Sequence, residues 1–290
     1  MRISEQIHPV TGLSYFIIVL IILMFSGYPF FQAAAFIGGL LALSVTESFR
    51  KFMGDFLFYI CLTILICITN PLFSHKGVTP LFFLNGKVVT FEALAYGLDL
   101  GITISSVIIW FKIFSIAVDR DKFLYIFGKT FSKTALLFTM VMGYIPKLKG
   151  RYKTLKSAQK GVGLGSSESR VDKIRFESGI FTALCGWSLE TSVETSMSMQ
   201  ARGYGLKGRT FAVNFKFRKS DLWFLIFIFV LGMLSLIYLG MGKLNFQCYP
   251  EIKFDKPDFI PLAAYGILCF LPFILEVKER LKWNLLLARI

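Results

Sequence analysis

Leu222–Met241 reads LWFLIFIFVLGMLSLIYLGM, 20 residues without one charged side chain. A helix rises about 1.5 Å per residue, so this stretch is about 30 Å long, the depth of a bilayer's hydrocarbon core. In hydrocarbon a helix satisfies its own backbone polar groups, and this run is therefore read as a membrane span. Similar charge-poor runs lie outward of it in both directions: Leu13–Phe25, Phe30–Val45, Phe56–Phe73, Ala93–Ala117 and Phe259–Leu275. The first, second and last are short and must borrow flanking residues to cross. Ser26, Gly27, Tyr28 and Pro29 read as a tight turn joining the first two. The expected fold is all-α: a polytopic helical membrane protein of about six transmembrane helices with a helical cytoplasmic insert. Residues 1–118 would hold the first four spans, 119–219 the insert with two long amphipathic helices, and 220–290 the last two spans.

The composition agrees. Of 290 residues, 55% are hydrophobic, 17% are charged and 32 are Phe, with a mean hydropathy of +0.63. A soluble domain has roughly a quarter of its residues charged, so an ordinary soluble enzyme, a disordered tail and a disulfide mini-protein are excluded. Within that apolar chain 32 Lys and Arg oppose 18 Asp and Glu. If the N-terminus is inside, 27 of the 32 fall in inside segments: Arg2, Arg50, Lys51, the stretch Lys112 to Lys219, and Lys278, Arg280, Lys282 and Arg289. Only Lys76, Lys87, Lys243, Lys253 and Lys256 fall outside, and the positive-inside rule then puts both termini in the cytoplasm. The first apolar run leads straight into a second with no small-residue cleavage site, so it is expected to stay. Ala135–Ile145 is apolar but only 11 residues long. Crossing there would send the following basic stretch outside, so it is expected at the membrane surface or against the bundle. Cys61, Cys67, Cys185, Cys248 and Cys269 form no C-x-x-C pair and read as small apolar fillers, with Cys248 a free thiol in an outside loop.

The insert holds 19 Lys and Arg against 6 Asp and Glu between Arg120 and Lys219. Leu137, Val141, Tyr144, Leu148, Tyr152 and Leu155 step by three and four, the apolar stripe of a helix. Lys149, Lys153, Lys156 and Lys160 follow an adjacent face, and Pro146 is expected to kink the helix about one turn back. A second helix is expected from about Val171 to Ala201, with Phe176, Ile180, Ala183, Leu184 and Trp187 on one face. The small hydroxyls of Ser188, Thr191, Thr195 and Ser198 then either admit another helix closely or are solvated positions. Glu190 and Glu194 lack a His or metal cluster beside them and read as ion-pair partners of the basic excess rather than a catalytic pair. Both helices close alike, with Lys160-Gly161-Val162-Gly163-Leu164 and Arg202-Gly203-Tyr204-Gly205-Leu206. Glycine stops and a last-turn cation are ordinary capping chemistry. Their repetition 42 residues apart suggests equivalent cationic tips for a two-fold partner. Gly203, Gly205 and Gly208 spell G-x-G-x-x-G after a helix, with no β-α-β context, so no dinucleotide site is read there. His8 and His75 fall on opposite expected sides, and no phosphate-binding loop, zinc motif or nucleophile elbow is present.

QARGYGLKGRT at Gln200–Thr210 resembles the transmembrane T component of energy-coupling factor (ECF) transporters, a class of ABC importers. The resemblance extends over most of the chain, through the six-span layout, Asn70-Pro71-Leu72-Phe73, Thr90 to Gly97, and Pro146 followed by Ala158-Gln159. The family carries Ala-Arg-Gly at the end of its second coupling helix, matched by Ala201, Arg202 and Gly203. At the first tip, Ala158, Gln159, Lys160 and Gly161 match, with Lys160 where the family has Arg; shifting by two residues puts Val162 there instead. A Lys keeps the charge and loses the planar fork.

The resemblance implies a scaffold in a prokaryotic plasma membrane, with no catalytic or metal residues and no cofactor of its own. Two ABC ATPase subunits, identical or different, would bind the ATP and dock on these tips. A small integral-membrane substrate-binding S component, for a vitamin or metal ion, would lie against Leu137, Val141, Tyr144, Leu148, Ile180, Leu184 and Trp187. Two other classes stay open. A stand-alone permease would show ionisable residues within its spans, where Asp99 and Lys112 lie near span ends. A membrane-bound enzyme would use the basic insert as its active region. The charge is accounted for by lipid and protein partners, so no nucleic acid is expected.

Overall fold

The computed structural model describes residues 8–74, 77–84, 87–119, 122–123, 125–126, 128, 131–163, 169–206, 217–241, 246–248, 253–254 and 259–287. Among them are eight long helices: α1 (Pro9–Phe25), α2 (Pro29–Thr46), α3 (Phe49–Phe73), α4 (Phe91–Ala117), α5 (Ser132–Gly161), α6 (Arg170–Ala201), α7 (Lys219–Gly240) and α8 (Phe259–Leu287). Two short antiparallel hairpins interrupt the series, β1 (Pro80–Leu84) with β2 (Lys87–Thr90) and β3 (Phe246–Gln247) with β4 (Lys253–Phe254). The helices α2, α3, α4, α7 and α8 are long and apolar enough to cross a bilayer, so the fold is all-α and the protein multi-pass. The first expected span, α1, has only 17 residues. Its side chains Val19, Ile22 and Leu23 are wholly buried, so it is held by packing as much as by lipid.

Helix starts follow local chemistry. Pro29, which needs no amide partner, opens α2 directly after the Ser26–Tyr28 turn. The Thr90 hydroxyl accepts the Ala93 amide at the head of α4, and the Arg218 amide donates to Asp221 at the head of α7 (3.0 Å).

The chain divides into two compact units, residues 124–214 and the remainder. In the larger unit α3 and α4 pack closest. Gly97 and Gly101, one turn apart on α4, lie under α3, and a Cβ at Gly101 would sit 2.8 Å from the Thr63 carbonyl oxygen. That approach lets Asn70 donate to the Ala93 carbonyl (2.8 Å) and brings the Thr63 and Ser105 hydroxyls to 2.8 Å. Small residues in register with interhelical hydrogen bonds are how helices associate where lipid removes the hydrophobic drive. Gly38 does the same for α2 against the Cys269 carbonyl of α8, and Trp110 of α4 donates to the Ala35 carbonyl of α2 (3.1 Å). Outward, Leu57, Leu65, Trp223 and Phe229 are exposed, which only an apolar solvent tolerates in such numbers. At the ends of α2, α3 and α4, Lys112 bonds both Glu47 (3.2 Å) and Asp55.

Pro272 lies inside α8 and has no amide to give the Leu268 carbonyl one turn back. The Tyr15 hydroxyl of α1 donates to that carbonyl instead, at 2.7 Å and fully buried. Tyr15→Phe is therefore expected to destabilise the protein by about 1 to 3 kcal/mol, the cost of a buried acceptor left unpaired. Adding Pro272→Ala, which restores an amide at that position, should recover most of the loss. Thermal unfolding of the two single variants and the double variant checks this, and equal losses in Tyr15→Phe with and without Pro272→Ala would contradict it.

Candidate partner-docking site

The smaller unit contains α5 and α6, of 30 and 32 residues. The second agrees with the expected Val171 to Ala201 within one residue. The first runs unbroken from Ser132 through Pro146, and Ala135–Ile145 lies in its opening half.

The two helices meet along a line of aromatic and polar contacts. The Tyr144 and Thr195 hydroxyls are 3.3 Å apart, Arg151 lies over the Trp187 ring at 5.7 Å, and Tyr152 donates to Glu177 at 2.8 Å. Lys156 bonds Glu177 and, at 2.7 Å, the Tyr152 hydroxyl. Ile180 is wholly buried, and Tyr144, Leu148, Leu184 and Trp187 are half-buried, while Leu137 and Val141 are exposed. Of the face expected to meet a membrane partner, Tyr144 and Trp187 take part in the contact between α5 and α6, while Leu137 and Val141 stay open. The unoccupied apolar ridge of α6 is the opposite one, where Phe181, Cys185, Leu189, Val193 and Met197 step by four and are all exposed. Of the small hydroxyls, Thr195 meets the Tyr144 hydroxyl of α5. Glu190 and Glu194 are exposed and form no ion pair among the described residues.

The bond from Lys156, with Tyr152 adding to it, holds the Glu177 carboxyl below the usual carboxylate range. The same bond raises the Lys156 ammonium above the usual lysine range. For Glu177 the stabilisation is complete above the unfolded carboxylate range, about pH 4.3, and is lost as pH falls through its lower folded value. For Lys156 it is complete below about pH 10.4 and is lost as pH rises through its higher folded value. Wild type and Glu177→Gln should therefore differ in thermal stability by a constant small amount across neutral pH. The difference should close on acidification below about pH 4. Unfolding scans of both proteins read the gap.

The tips show what the repeat means in three dimensions. In α6 the Arg202 amide donates to the Ser198 carbonyl, Gly203 to Gln200 and Tyr204 to Met199, and Gly203 has φ +83°. This is a left-handed glycine cap with Arg202 at the C-cap. In α5 the Val162 amide donates to Ala158, Gly163 donates to Lys160, and Gly163 has φ +85°. The caps correspond with an offset of 40 residues, not the 42 of the sequence repeat. Val162 therefore stands where Arg202 does, and Lys160 where Gln200 does. At about 100° per residue, Lys160 points some 200° away from the C-cap direction. The Arg202 side chain is exposed and makes no hydrogen bond or ion pair among the described residues, whereas the Lys160 charge acts back on Glu177. Ala201, Ala158 and Gly161 are exposed, and Gln159 and Gly203 half-buried, so both tips are open to a partner. Gly205 also takes a positive φ, in a turn that follows a helix, as read for the glycine triplet; Gly208 and Leu164 lie outside the described residues.

One feature of the larger unit was not legible as a site. Because α4 begins at Phe91, Asp99 lies about two turns inside a span and only 9% of it is exposed. Gln32 of α2, itself buried, faces it. A lone Gln three residues into an apolar run was the available signal. Among the described residues no cluster of His, Cys, Asp and Glu could hold a metal ion. Neither a protein-family model nor a curated protein matches this chain.

Proposed function

We propose that the chain is the transmembrane coupling subunit, the T component, of an ECF-type ABC importer in a prokaryotic plasma membrane. In this reading two ATPase subunits bind the ATP and dock on the tips of α5 and α6. A small membrane-embedded S component captures a vitamin or metal ion, and motion of the helices reorients it. The chain itself has no catalytic residue or cofactor, and both termini face the cytoplasm. The observation that carries the reading is the pair of exposed tips built on the same glycine cap, one presenting an unengaged arginine in an Ala-Arg-Gly sequence. The distribution of Lys and Arg supports the orientation, and the bare ridge from Phe181 to Met197 supports an apolar partner for α6.

Purification from the native membrane tests it. The chain should bring down ATPase subunits and hydrolyse no ATP alone, and a reporter fused after Ile290 should be active only in the cytoplasm. ATPase activity of the isolated chain, or an external C-terminus, would overturn the reading. One observation favours a stand-alone permease, the intramembrane carboxyl of Asp99. That alternative requires transport by the chain reconstituted alone.

A further inference from the structure

We propose that the β1–β2 hairpin is a lipid anchor: its exposed edge, with Leu81 and Phe83, lies at the boundary between headgroups and acyl chains, and a clamp between Thr79 and Glu92 holds it there. The anchor needs only that α3 crosses the bilayer, so it stands or falls apart from the coupling role.

The depth follows from α3. From Lys51 to Phe73 it rises 22 residues, about 33 Å at 1.5 Å per residue, across hydrocarbon about 30 Å thick. Phe73 therefore reaches the far headgroup boundary, and the hairpin begins seven residues later. On α3 the side chains of Leu57, Ile64, Ile68 and Leu72, in steps of seven and four, are exposed to the lipid that a span must meet. This apolar surface does not stop with the helix. Phe73 is 84% exposed and Phe83 72%, and Val78, Leu81 and Phe91 are exposed as well. The hairpin also has packing of its own: Val89 is buried, and β2 lies against α3 and α4. Leu81 and Phe83 are left outside that packing, which suits an apolar edge resting about 5 to 10 Å into the headgroup boundary. Lys76 and Lys87 are the only charged residues between Leu72 and Phe91, and lipid phosphates suit that sign. Deeper insertion is barred, because a two-stranded sheet leaves outer backbone edges that need water or headgroups.

Glu92, buried in the first turn of α4, fixes the height of the hairpin. Its carboxylate accepts the Thr79 amide at 3.2 Å and the Thr79 hydroxyl at 2.8 Å, and the Phe91 amide donates back to the Thr79 carbonyl at 3.1 Å. Gly77, with φ +138°, passes so close that a Cβ there would sit 2.6 Å from Glu92 Oε2. The entry to β1 is thus tied to the head of a spanning helix, and the apolar edge cannot ride up into water without breaking these bonds.

The test uses the full chain, one copy per lipid nanodisc, with para-trifluoromethyl-phenylalanine in place of Phe83 as a fluorine probe. Relaxation is compared with nitroxides near the head of the acyl chain, nitroxides near its tail, and a water-soluble gadolinium chelate. The head-end nitroxide should broaden the signal most. The same probe at Phe229, within α7, should respond most to the tail-end nitroxide and so calibrates depth. Strongest broadening by gadolinium would put the hairpin in water, strongest broadening by the tail-end nitroxide would put it in the hydrocarbon, and protection from all three would put it under a protein; each overturns the anchor. Glu92→Gln and Thr79→Val should each lower the ratio of head-end to gadolinium broadening at position 83 several-fold. Thr79→Val keeps the amide bond and serves where Glu92→Gln does not fold. An unchanged ratio in the folded variants overturns the clamp.

Discussion

Arg202→Ala is expected to abolish recovery of ATPase subunits with the chain, and with it transport. Truncating one side of a desolvated, hydrogen-bonded charge contact costs about 2 to 5 kcal/mol, and at 1.4 kcal/mol per tenfold even the lower figure weakens binding roughly thirtyfold. Lys160→Ala should be milder, because that side chain leaves its helix two residues before the C-cap and its charge acts on Glu177. The cap offset adds a sharper expectation. Val162→Arg places a guanidinium where Arg202 stands on the other helix and should be tolerated or strengthen docking. Lys160→Arg should leave docking near its original level. Were the cations only caps, removing one would cost about 0.3 to 1 kcal/mol of helix stability and leave complex formation nearly intact. Co-purification from cells expressing each folded variant separates the two accounts; wild-type recovery by Arg202→Ala would refute the docking role.

Gly101→Leu should leave no stable folded protein. Its Cβ alone would fall 2.8 Å from the Thr63 carbonyl, a backbone atom that cannot swing aside, and the rest of the side chain has no room between α3 and α4. Overpacking a tight contact costs about 1 to 3 kcal/mol or more. Here separation of the helices also breaks the Asn70 to Ala93 bond and the Thr63–Ser105 contact, each worth about 0.6 kcal/mol in a membrane protein. Gly54→Leu on α3 is the control, since a Cβ there meets nothing within 4 Å. Size-exclusion profiles and thermal aggregation in detergent should show loss of the monodisperse peak for Gly101→Leu only.

The spans were legible because lipid imposes one rule on sequence, an uncharged run of sufficient length, and α7 obeys it almost residue for residue. The bounds of α6 were legible because Gly203 stops it. The helix α5 was legible through Pro146 because its apolar stripe continues on both sides of the proline, which removes one hydrogen bond without ending a helix. The β1–β2 hairpin flanks Asn85-Gly86, a pair that favours tight hairpin turns, yet its strands are too short to show alternation among apolar neighbours. The apolar stripe located the buried face of the insert, but a stripe cannot say whether its cover is a partner or the neighbouring helix. The repeat at the tips was visible as letters, and its register was not, because either glycine of G-x-G can adopt the left-handed cap. Asp99 stayed hidden for a different reason: the Gln32 side chain that faces it lies 67 positions away in sequence.

Tyr15 and Leu268 are 253 residues apart, and their bond joins the first helix to the last. A ribosome making this chain delivers α1 into the bilayer long before α8 exists. For most of synthesis the Tyr15 hydroxyl has no native acceptor, and the amide gap at Pro272 has not been translated. The contacts of α4 with α2 and α3 can form as those helices are made, but the bond that ties α1 to α8 forms only when the final span arrives. A chain halted before residue 259 would leave α1 without the acceptor it is built to meet, and quality-control proteases would have a partly assembled bundle to find. Pro272 thus acts as a completion mark, a gap near the end of the chain that only the residues made first can fill.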